Sequence, residues 1–335
     1  MLVFPNEAAT FAPAGDSLSA FKMACASRSN TPHMKWFILL FPIFALSSFI
    51  GFGATNDLLS GVIDVHVHCA PDSIPRSIDA IDLAKLAKSR GMRGLVLKNH
   101  WEPTASLAYV THKEAPGIEI FGGIDLNISV GGMNPEAVER MAKTTGGWGR
   151  FVWMSTFDSQ AQVQFSKQNR PFVAVSRNGQ LLPETKKVIA TIAKYHLIMA
   201  TGHNAPQEDL MLIREARAQG VQGIIVTHAM MAPIHMSIGD MKQAAALGAF
   251  IEFAYNGLIG QYKEFSFADY ANAIRAVGAE HCILSSDLGQ PTNPLHPDGL
   301  ALFFDGLKKA GITDGQIRMM SVRNPALLLG LDRKH

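Results

Sequence analysis

Val62-Ile63-Asp64-Val65-His66-Val67-His68 is the stretch around which the fold and the chemistry of this chain are built. β-Branched residues alternate here with polar ones, which is typical of a buried strand. A period of two predicts that Asp64, His66 and His68 point to one face. Val65 and Val67 would then share the other face. Two imidazoles on one rigid element could hold a metal ion, although a strand can also carry two histidines on a solvent face without binding anything.

The composition is that of a globular protein with a large core. Hydrophobic residues make up 47% of the 335 residues and charged residues 17%, so the chain could form one large domain or two ordinary ones. The formal net charge of +2 is dispersed, with no long basic run and no interleaving of basic and aromatic residues. These features exclude nucleic acid as the expected partner.

The cysteines indicate that any metal is held by nitrogen and oxygen. Cys25, Cys69 and Cys282 cannot form a disulfide framework, and no C-x-x-C spacing is present. Cys69 and Cys282 are predicted at opposite rims of a barrel, roughly 15 Å apart, which is too far for a bridge.

The first 54 residues differ in composition from the rest of the chain. Residues 1–33 lack periodicity, so we expect them to be disordered or to follow from an upstream start codon, with Met34 as the true start. Met34-Lys35 then opens an uncharged apolar run that ends in small and polar residues. This pattern predicts a signal peptide at residues 34–54 and an exported protein, periplasmic or secreted. The alternative is a membrane anchor through residues 36–53, since the run is just long enough to span a bilayer.

From residue 61 onward, short apolar strands alternate with amphipathic helical segments, as in a parallel sheet with crossover helices. Eight units in about 270 residues predict an α/β fold, a (β/α)8 TIM barrel at residues 55–335 with helices at its C-terminus. A doubly wound open sheet is the alternative, but no Gly-x-Gly-x-x-Gly follows the first strand. The predicted strands are residues 62–68, 93–100, 118–127, 150–156, 197–203, 223–230, 249–255 and 282–289.

Helices are predicted between these strands, and one connection is expected to be irregular. The irregular stretch is residues 157–182, which could form a lid or a substrate wall at the rim. A final helical stretch is expected at residues 313–331. The other predicted helical segments are residues 77–90, 134–145, 183–196, 206–219, 238–247 and 266–277.

Polar residues collect at the predicted carboxyl ends of the strands. In this type of barrel the loops that follow the strands build the active site, so side chains at these ends converge. Five of the 12 histidines lie at these few positions. The residues at the ends are His66, His68, Lys98, His100, Asp125, Asn127, Thr201, His203, Thr227, His228, Glu252, Ser285, Ser286 and Asp287.

The order of these residues resembles the amidohydrolase superfamily of metal-dependent hydrolases. The resemblance rests on a His-x-His pair on strand one, single histidines on strands five and six, and an aspartate on strand eight. It spans residues 61–331 and includes Arg323-Asn324-Pro325-Ala326, which is similar to a helix often seen near the end of such chains. His66-Val-His68-Cys-Ala-Pro-Asp, Arg76 and Leu-Lys98-Asn-His100 look like a poorly characterised amidohydrolase-related group.

The resemblance implies a metal centre with one or two divalent ions, zinc first and manganese, iron or cobalt as alternatives. His66, His68, His203 and His228 would be ligands. Asp287 would bind metal and act as general base, because a divalent ion lowers the pKa of its water toward about 7 and a carboxylate can then take the proton. The ion or an imidazole such as that of His228 would polarise the bond attacked. Asp64 is expected to support an imidazole or to be a polar core group.

Lys98 and His100 are further candidates for catalysis. The best-known two-metal members carry a carbamylated lysine at the end of strand four, where this chain has no lysine. Lys98 could replace it as a carbamate, bind a substrate carboxylate, or form a salt bridge with Asp125. His100 could be an extra ligand, an oxyanion donor or a core histidine.

Other residues have weaker claims. Arg76, Asn127, Trp153 and Tyr255 are candidates to line a substrate pocket or to be rim packing. The methionines Met230, Met231 and Met236 are expected to fill apolar space. His235 and His296 are expected to be exposed. His112, His196 and His281 are excluded from the site.

The predicted function is a metal-dependent hydrolase that cleaves an amide, lactam, lactone or similar bond of a small molecule through a metal-activated water, with Asp287 as base. A phosphoesterase or decarboxylase on the same barrel is an alternative within enzymes. A non-catalytic exported metal-binding protein is the alternative of a different class, but such a protein would need no base. The sequence is compatible with either a monomer or an oligomer.

Overall fold

Eight strands pair in parallel in the order in which they occur along the chain. The computed structural model describes residues 57–331, so the predicted extension at 1–33 and the signal or anchor segment at 34–54 lie outside the described residues. The strands of the barrel are β1 (Ile63–Val67), β2 (Gly94–Leu97), β3 (Glu119–Asp125), β4 (Gly149–Trp153), β7 (Ile198–Ala200), β8 (Gly223–Val226), β9 (Phe250–Ala254) and β10 (Cys282–Ser285).

The barrel closes between its first and last strands. Beyond the end of β10, Leu288 bridges to Val67 in parallel. The amide of Asp287 donates to the carbonyl of His66 at 2.9 Å, and that of His68 donates to Leu288 at 2.9 Å. Closure removes the free edges of the sheet and confirms the predicted (β/α)8 barrel.

Helices cover the outside of the barrel, and many have capped first turns. Asp79, Asn134, Ser159, Ser237, Ser266 and Thr313 each accept a backbone amide at a helix start, which satisfies donors that the first turn leaves unpaired. The α-helices are α1 (Ala80–Ser89), α2 (Ala105–Glu114), α3 (Pro135–Ala142), α4 (Gln160–Phe165), α5 (Pro183–Lys194), α6 (Pro206–Ala218), α7 (Ile238–Ala246), α8 (Phe267–Val277), α9 (His296–Lys309), α10 (Asp314–Arg318) and α11 (Asn324–Leu329). A π-helix, Met319–Arg323, joins the last two, and short 3-10 turns occupy Asp57–Leu59, Ile128–Val130, Tyr255–Leu258, Gly260–Tyr262 and Ala279–His281.

The connection at residues 157–182 is more ordered than its sequence indicates. It contains α4 and an antiparallel hairpin of β5 (Ser176–Arg177) and β6 (Gln180–Leu181). Arg170 pairs with Asp158 and donates to the carbonyl of Phe157 at 2.5 Å. The helix has six residues and each hairpin strand has two, so these segments are too short for hydrophobic periodicity to reveal them.

The apolar core forms two layers. The larger layer lies between strands and helices and includes Val67, while the smaller fills the barrel and includes Val65, Phe151 and Trp153. Val65 and Val67 therefore do not share a face, and that prediction is wrong. The register of β1 against β2 shifts between Asp64 and Val67, because three steps on β1 oppose two on β2 and this bulge breaks the alternation.

The ends of the barrel differ in what closes them. Ala326, Leu328 and Leu329 of α11 join the inner layer at the amino ends of the strands, so the predicted C-terminal helical stretch closes that end.

Cys69 and Cys282 are buried and free, as predicted. Among residues 57–331, no helix is long and apolar enough to cross a bilayer.

Candidate metal centre

A cavity of about 660 Å³ opens at the carboxyl ends of the strands. Its volume lies within the range of small-molecule sites. Its floor holds most of the predicted site residues, and Phe157, Phe165 and Tyr262 form part of its wall. The predicted site residues that line it are His66, His68, His100, His203, His228 and Asp287.

The two histidines of β1 meet the aspartate that follows β10. Asp287 Oδ1 lies 3.1 Å from His66 Nε2 and 2.9 Å from His68 Nε2. Ligand atoms of these three buried residues all lie within 4.8 Å of one another. Two nitrogens and one carboxylate oxygen at this spacing are donors that bind divalent metals, so the group could hold a metal ion.

The histidines that follow β7 and β8 form a second pair in the same cavity. His203 Nε2 lies 3.1 Å from His228 Nε2, and the His228 ring stacks on His66 with centroids 5.9 Å apart. Two imidazole nitrogens this close must share a proton or face a common cation, since neutral lone pairs repel. The five residues of the predicted constellation therefore share one cavity as two adjacent groups.

The strands end earlier than predicted, so several site residues lie just beyond them. β8 ends at Val226 and β10 at Ser285. His228 and Asp287 then adopt positive φ angles of 22° and 51°. Strained backbone of this kind is concentrated at functional sites and has to be held by surrounding contacts.

Glu252 on β9 supports both groups, a role that sequence analysis missed. Its Oε1 lies 3.0 Å from His66 Nδ1 and accepts from Ser285 Oγ at 2.6 Å. Its Oε2 accepts from the backbone amide of His228 at 2.8 Å. The carboxylate thus leaves His66 Nε2 free to face Asp287. The only sequence signal was a carboxylate inside a predicted apolar strand.

Electrostatics keep most imidazoles neutral and Asp287 ionised. Burial lowers the pKa of His68, His100, His203 and His228. Burial opposes ionisation of Asp287, but His66, His68 and His228 hold its pKa well below the usual range. Burial also disfavours charge on His66, yet Asp287 and Glu252 raise its pKa. Neutral imidazole and ionised carboxylate are the forms that bind metal.

Lys98 does not reach the cavity. Its side chain is fully buried, and Nζ lies 3.0 Å from Asp125 Oδ2 and 5.4 Å from the centre of the Trp153 ring. Asp125 also lies 3.1 Å from His100 Nδ1, which in turn lies 3.1 Å from Thr156 Oγ1. Of the three roles predicted for Lys98, this geometry matches the salt bridge with Asp125.

Asp64 is a core polar group rather than a partner of an imidazole ring. Its Oδ1 accepts from the amides of Ser286 at 3.0 Å and His66 at 3.3 Å. Burial raises its pKa to about 6. Asp64 therefore ties β1 to the end of β10 beneath the site.

Only Arg76 among the four weaker pocket candidates lines the cavity. Its Nη2 lies 2.6 Å from Asp72 Oδ2 and 3.4 Å from His68 Nδ1. Asn127 is buried and donates to the carbonyl of His100 at 2.8 Å, Trp153 packs inside the barrel, and Tyr255 stacks on Phe303.

His296 is fully buried, so the expectation that it is exposed is wrong. It begins α9, and its Nε2 lies 2.8 Å from the carbonyl oxygen of Leu288. This contact with the backbone that follows β10 keeps the imidazole inside the fold. The spacing of residues in the sequence does not reveal it. His235 is exposed as expected and pairs with Glu264 at 2.8 Å. Met231 and Met236 are buried, and Met230 packs against the core, as predicted.

The fold and this site define a (β/α)8 barrel with a buried His–His–Asp group that could hold a metal ion. A family model described as a family of unknown function, DUF6282, matches residues 61–252. The chain belongs to this family. No curated protein matches the sequence at a significant level.

Solved structures share the fold at low sequence identity. An amidohydrolase from Pseudomonas aeruginosa is 13% identical, with 82% of this chain and 98% of that chain covered and a TM-score of 0.56. An organophosphorus hydrolase from Deinococcus radiodurans is 16% identical, with 83% and 94% covered and a TM-score of 0.56. A 2,6-dihydroxybenzoate decarboxylase from Rhizobium is 14% identical, with 82% and 100% covered and a TM-score of 0.52. These likenesses confirm the predicted (β/α)8 barrel fold.

Proposed function

We propose that this protein is a metal-dependent hydrolase that cleaves an amide, lactam, lactone or similar bond in a small molecule. One observation carries the proposal: the ligand atoms of His66, His68 and Asp287 lie within 4.8 Å of one another on the floor of a cavity. The naming of two structural neighbours as an amidohydrolase and an organophosphorus hydrolase supports the reaction class.

The donor set fits a divalent cation, and we propose zinc, with manganese, iron or cobalt as alternatives. When bound, the cation would activate a water molecule for attack. His66, His68 and Asp287 would hold one ion. The facing Nε2 atoms of His203 and His228, 3.1 Å apart, support a second position beside it.

Asp287 is proposed to accept the proton from the attacking water and to return it to the leaving group. Its carboxylate is ionised, and Asn256 Nδ2 donates to Oδ2 at 3.3 Å, which orients the group. His228 and His100 both line the cavity and are proposed to orient or polarise the bond attacked. For Lys98 we propose the salt bridge with Asp125 rather than a carbamate or a substrate contact, because Nζ is sealed from the cavity.

A decarboxylase is the second candidate. Arg76 lines the cavity near His68 and could bind a substrate carboxylate. The decarboxylase among the structural neighbours supports this alternative.

The test is a metal assay combined with a substrate screen. The purified protein is analysed for bound metal and assayed on amides, lactones, phosphotriesters and aromatic acids. We expect bound metal, hydrolysis of an amide or lactone, and a loss of about 100-fold or more in kcat for Asp287→Asn. Asp305→Asn, at a surface pair with Lys309, is the matched control.

Two results would contradict the proposal. Full activity of metal-free protein would exclude the metal-dependent mechanism. Turnover of aromatic acids alone, with release of carbon dioxide, would favour the decarboxylase.

We also propose that residues 34–54 are a signal peptide and that the protein is exported. N-terminal sequencing of protein recovered from the periplasm or medium would test it. A mature protein that begins near Thr55 is expected, whereas a retained apolar run in the membrane fraction would favour the anchor.

A further inference from the structure

A second cavity, of about 500 Å³, lies at the opposite end of the barrel from the metal centre. It is bounded by the amino ends of β4, β7, β8 and β9, the end of α5, and α11. Its volume is that of a small-molecule site. Barrel enzymes place their chemistry at the other end, so the proposed reaction gives this cavity no role.

The wall of this cavity is mostly apolar. Phe250 of β9 contributes to one side, and Leu327 of α11 contributes to the other, with the more deeply buried Leu328 beside it. Leu327 is 56% exposed, which leaves a large apolar residue in water. An apolar body of several carbons could lie between these two sides.

Arg150 supplies a positive charge that no salt bridge within residues 57–331 neutralises. Its Nε is buried and has no hydrogen-bond partner in the part of the chain that the structure describes. The guanidinium carbon lies 5.7 Å from the centre of the Phe121 ring, which holds the group against an apolar surface. A guanidinium group that lines a cavity and lacks a counter-charge among the described residues favours an anionic ligand there.

The polar residues of the wall favour a ligand with a single negative charge. Arg150 and His196 are the basic side chains among the lining residues, and none of that set is acidic. A planar carboxylate matches the guanidinium fork with two hydrogen bonds. A phosphate would bring up to two negative charges to a lining in which Arg150 is the one permanently charged side chain.

We propose that this cavity binds a small amphipathic monocarboxylate, with its carboxylate on Arg150 and its hydrocarbon tail between Phe250 and Leu327. Such a ligand would neutralise the guanidinium group and cover the exposed Leu327 of α11 at the same time. The site is independent of the metal centre and of the reaction proposed there.

Octanoate is the probe, and calorimetric titration of the full chain at fixed ionic strength is the measurement. Octanol carries the tail without the charge, and acetate carries the charge without the tail. We expect octanoate to bind about tenfold or more tightly than either. Arg150→Gln should weaken octanoate by about tenfold or more and leave octanol unchanged.

Control variants separate this site from other surfaces. Arg140→Gln, at an exposed pair with Glu136, should bind octanoate like the unmodified protein. Asp287→Asn should also retain binding, because that residue lies at the other end of the barrel. Arg150→Lys, which keeps the charge but loses the fork, should bind with intermediate affinity.

Several results would overturn the proposal. They are unchanged octanoate affinity in Arg150→Gln, equal binding of acetate and octanoate, or loss of binding in Asp287→Asn. If Arg150→Gln fails to fold, the comparison of octanoate, octanol and acetate on the unmodified protein and Arg150→Lys decides the question.

Discussion

Glu252 joins the two groups of the candidate centre through one carboxylate. One oxygen faces His66 and the other accepts the amide of His228. The carboxylate can accept on both sides because an ionised group has no hydrogen to donate. Burial opposes its ionisation, but His66 and the other partners lower its pKa overall.

We predict that Glu252→Gln weakens metal binding about 10- to 100-fold. An amide would place a donor against either the His228 amide or one of the groups near Oε1, and would orient His66 less firmly. Metal affinity is measured by competition with a chelator, alongside a urea unfolding curve. Glu184→Gln, on the exposed first turn of α5, is the control. Unchanged metal affinity in Glu252→Gln would show that the carboxylate does not orient the site.

Lys98 and Asp125 form a buried ion pair whose two partners depend on each other. We predict that Lys98→Met destabilises the fold by about 3–5 kcal/mol, because it leaves Asp125 buried without a counter-charge. The double variant Lys98→Met/Asp125→Leu should recover much of this loss. Lys309→Met, which breaks the surface pair with Asp305, should cost less than about 1 kcal/mol. The free energy of unfolding in urea is the measurement.

A carbamate on Lys98 has a separate test. After incubation with carbon-13 bicarbonate, we expect no carbamate signal from the protein in the NMR spectrum. A labelled carbamate that disappears in Lys98→Met would contradict the salt-bridge role.

At the scale of elements, the turn after β7 places His203. Gly202 has φ +75°, and a Cβ there would overlap the carbonyl oxygen atoms of Met154 and Ser155. α4 then fixes the imidazole from above, since Gln162 Oε1 lies 2.9 Å from His203 Nδ1. Both elements belong to connections rather than to the barrel strands.

We predict that Gly202→Ala costs about 2–5 kcal/mol of unfolding free energy, from the left-handed backbone and the overlap together. Gly220→Ala is the matched control, because φ is +86° and a Cβ would meet nothing within 4 Å. It should cost only about 1–2 kcal/mol. Urea unfolding measures both, and equal losses would mean that the close approach at Gly202 relaxes freely.

At the scale of the whole molecule, closure of the barrel buries titratable groups and makes stability depend on pH. Burial lowers the pKa of His296 to about 4, despite its hydrogen bond to the Leu288 carbonyl. Its usual value is 6.5. Between these two values the unfolded chain binds a proton that the folded chain does not, so stability falls as pH falls from 6.5 to 4.

We predict that His296→Gln removes up to about 3 kcal/mol of this pH dependence. The amide can still donate to Leu288 but does not titrate. Unfolding free energies at pH 7, 5.5 and 4 would be compared with those of His281→Gln, whose side chain is 45% exposed. Parallel curves for His296→Gln and the unmodified protein would contradict a buried neutral His296.

The sequence by itself determined the barrel, the order of its strands and the four histidines and one aspartate that meet in its cavity: His66, His68, His203, His228 and Asp287. Apolar periodicity reports which backbone segments are strands and helices, and barrel closure brings all carboxyl ends to one rim. His66 and Asp287 therefore met as predicted although 221 positions separate their numbers. Local sequence patterns were enough to predict this contact, because closing the barrel brings the ends of its first and last strands together.

Tertiary structure alone decided which side chains pair and which faces are buried. Glu252 contacts His66 across 186 positions, Lys98 chooses Asp125, and the bulge in β1 separates Val65 from Val67. Tertiary structure likewise decided that His296 is buried and that Nε of Arg150 lacks a hydrogen-bond partner among the described residues. Periodicity gives the direction of a side chain along its own element, whereas a hydrogen bond or cavity depends on ångström-scale distances to residues on other elements.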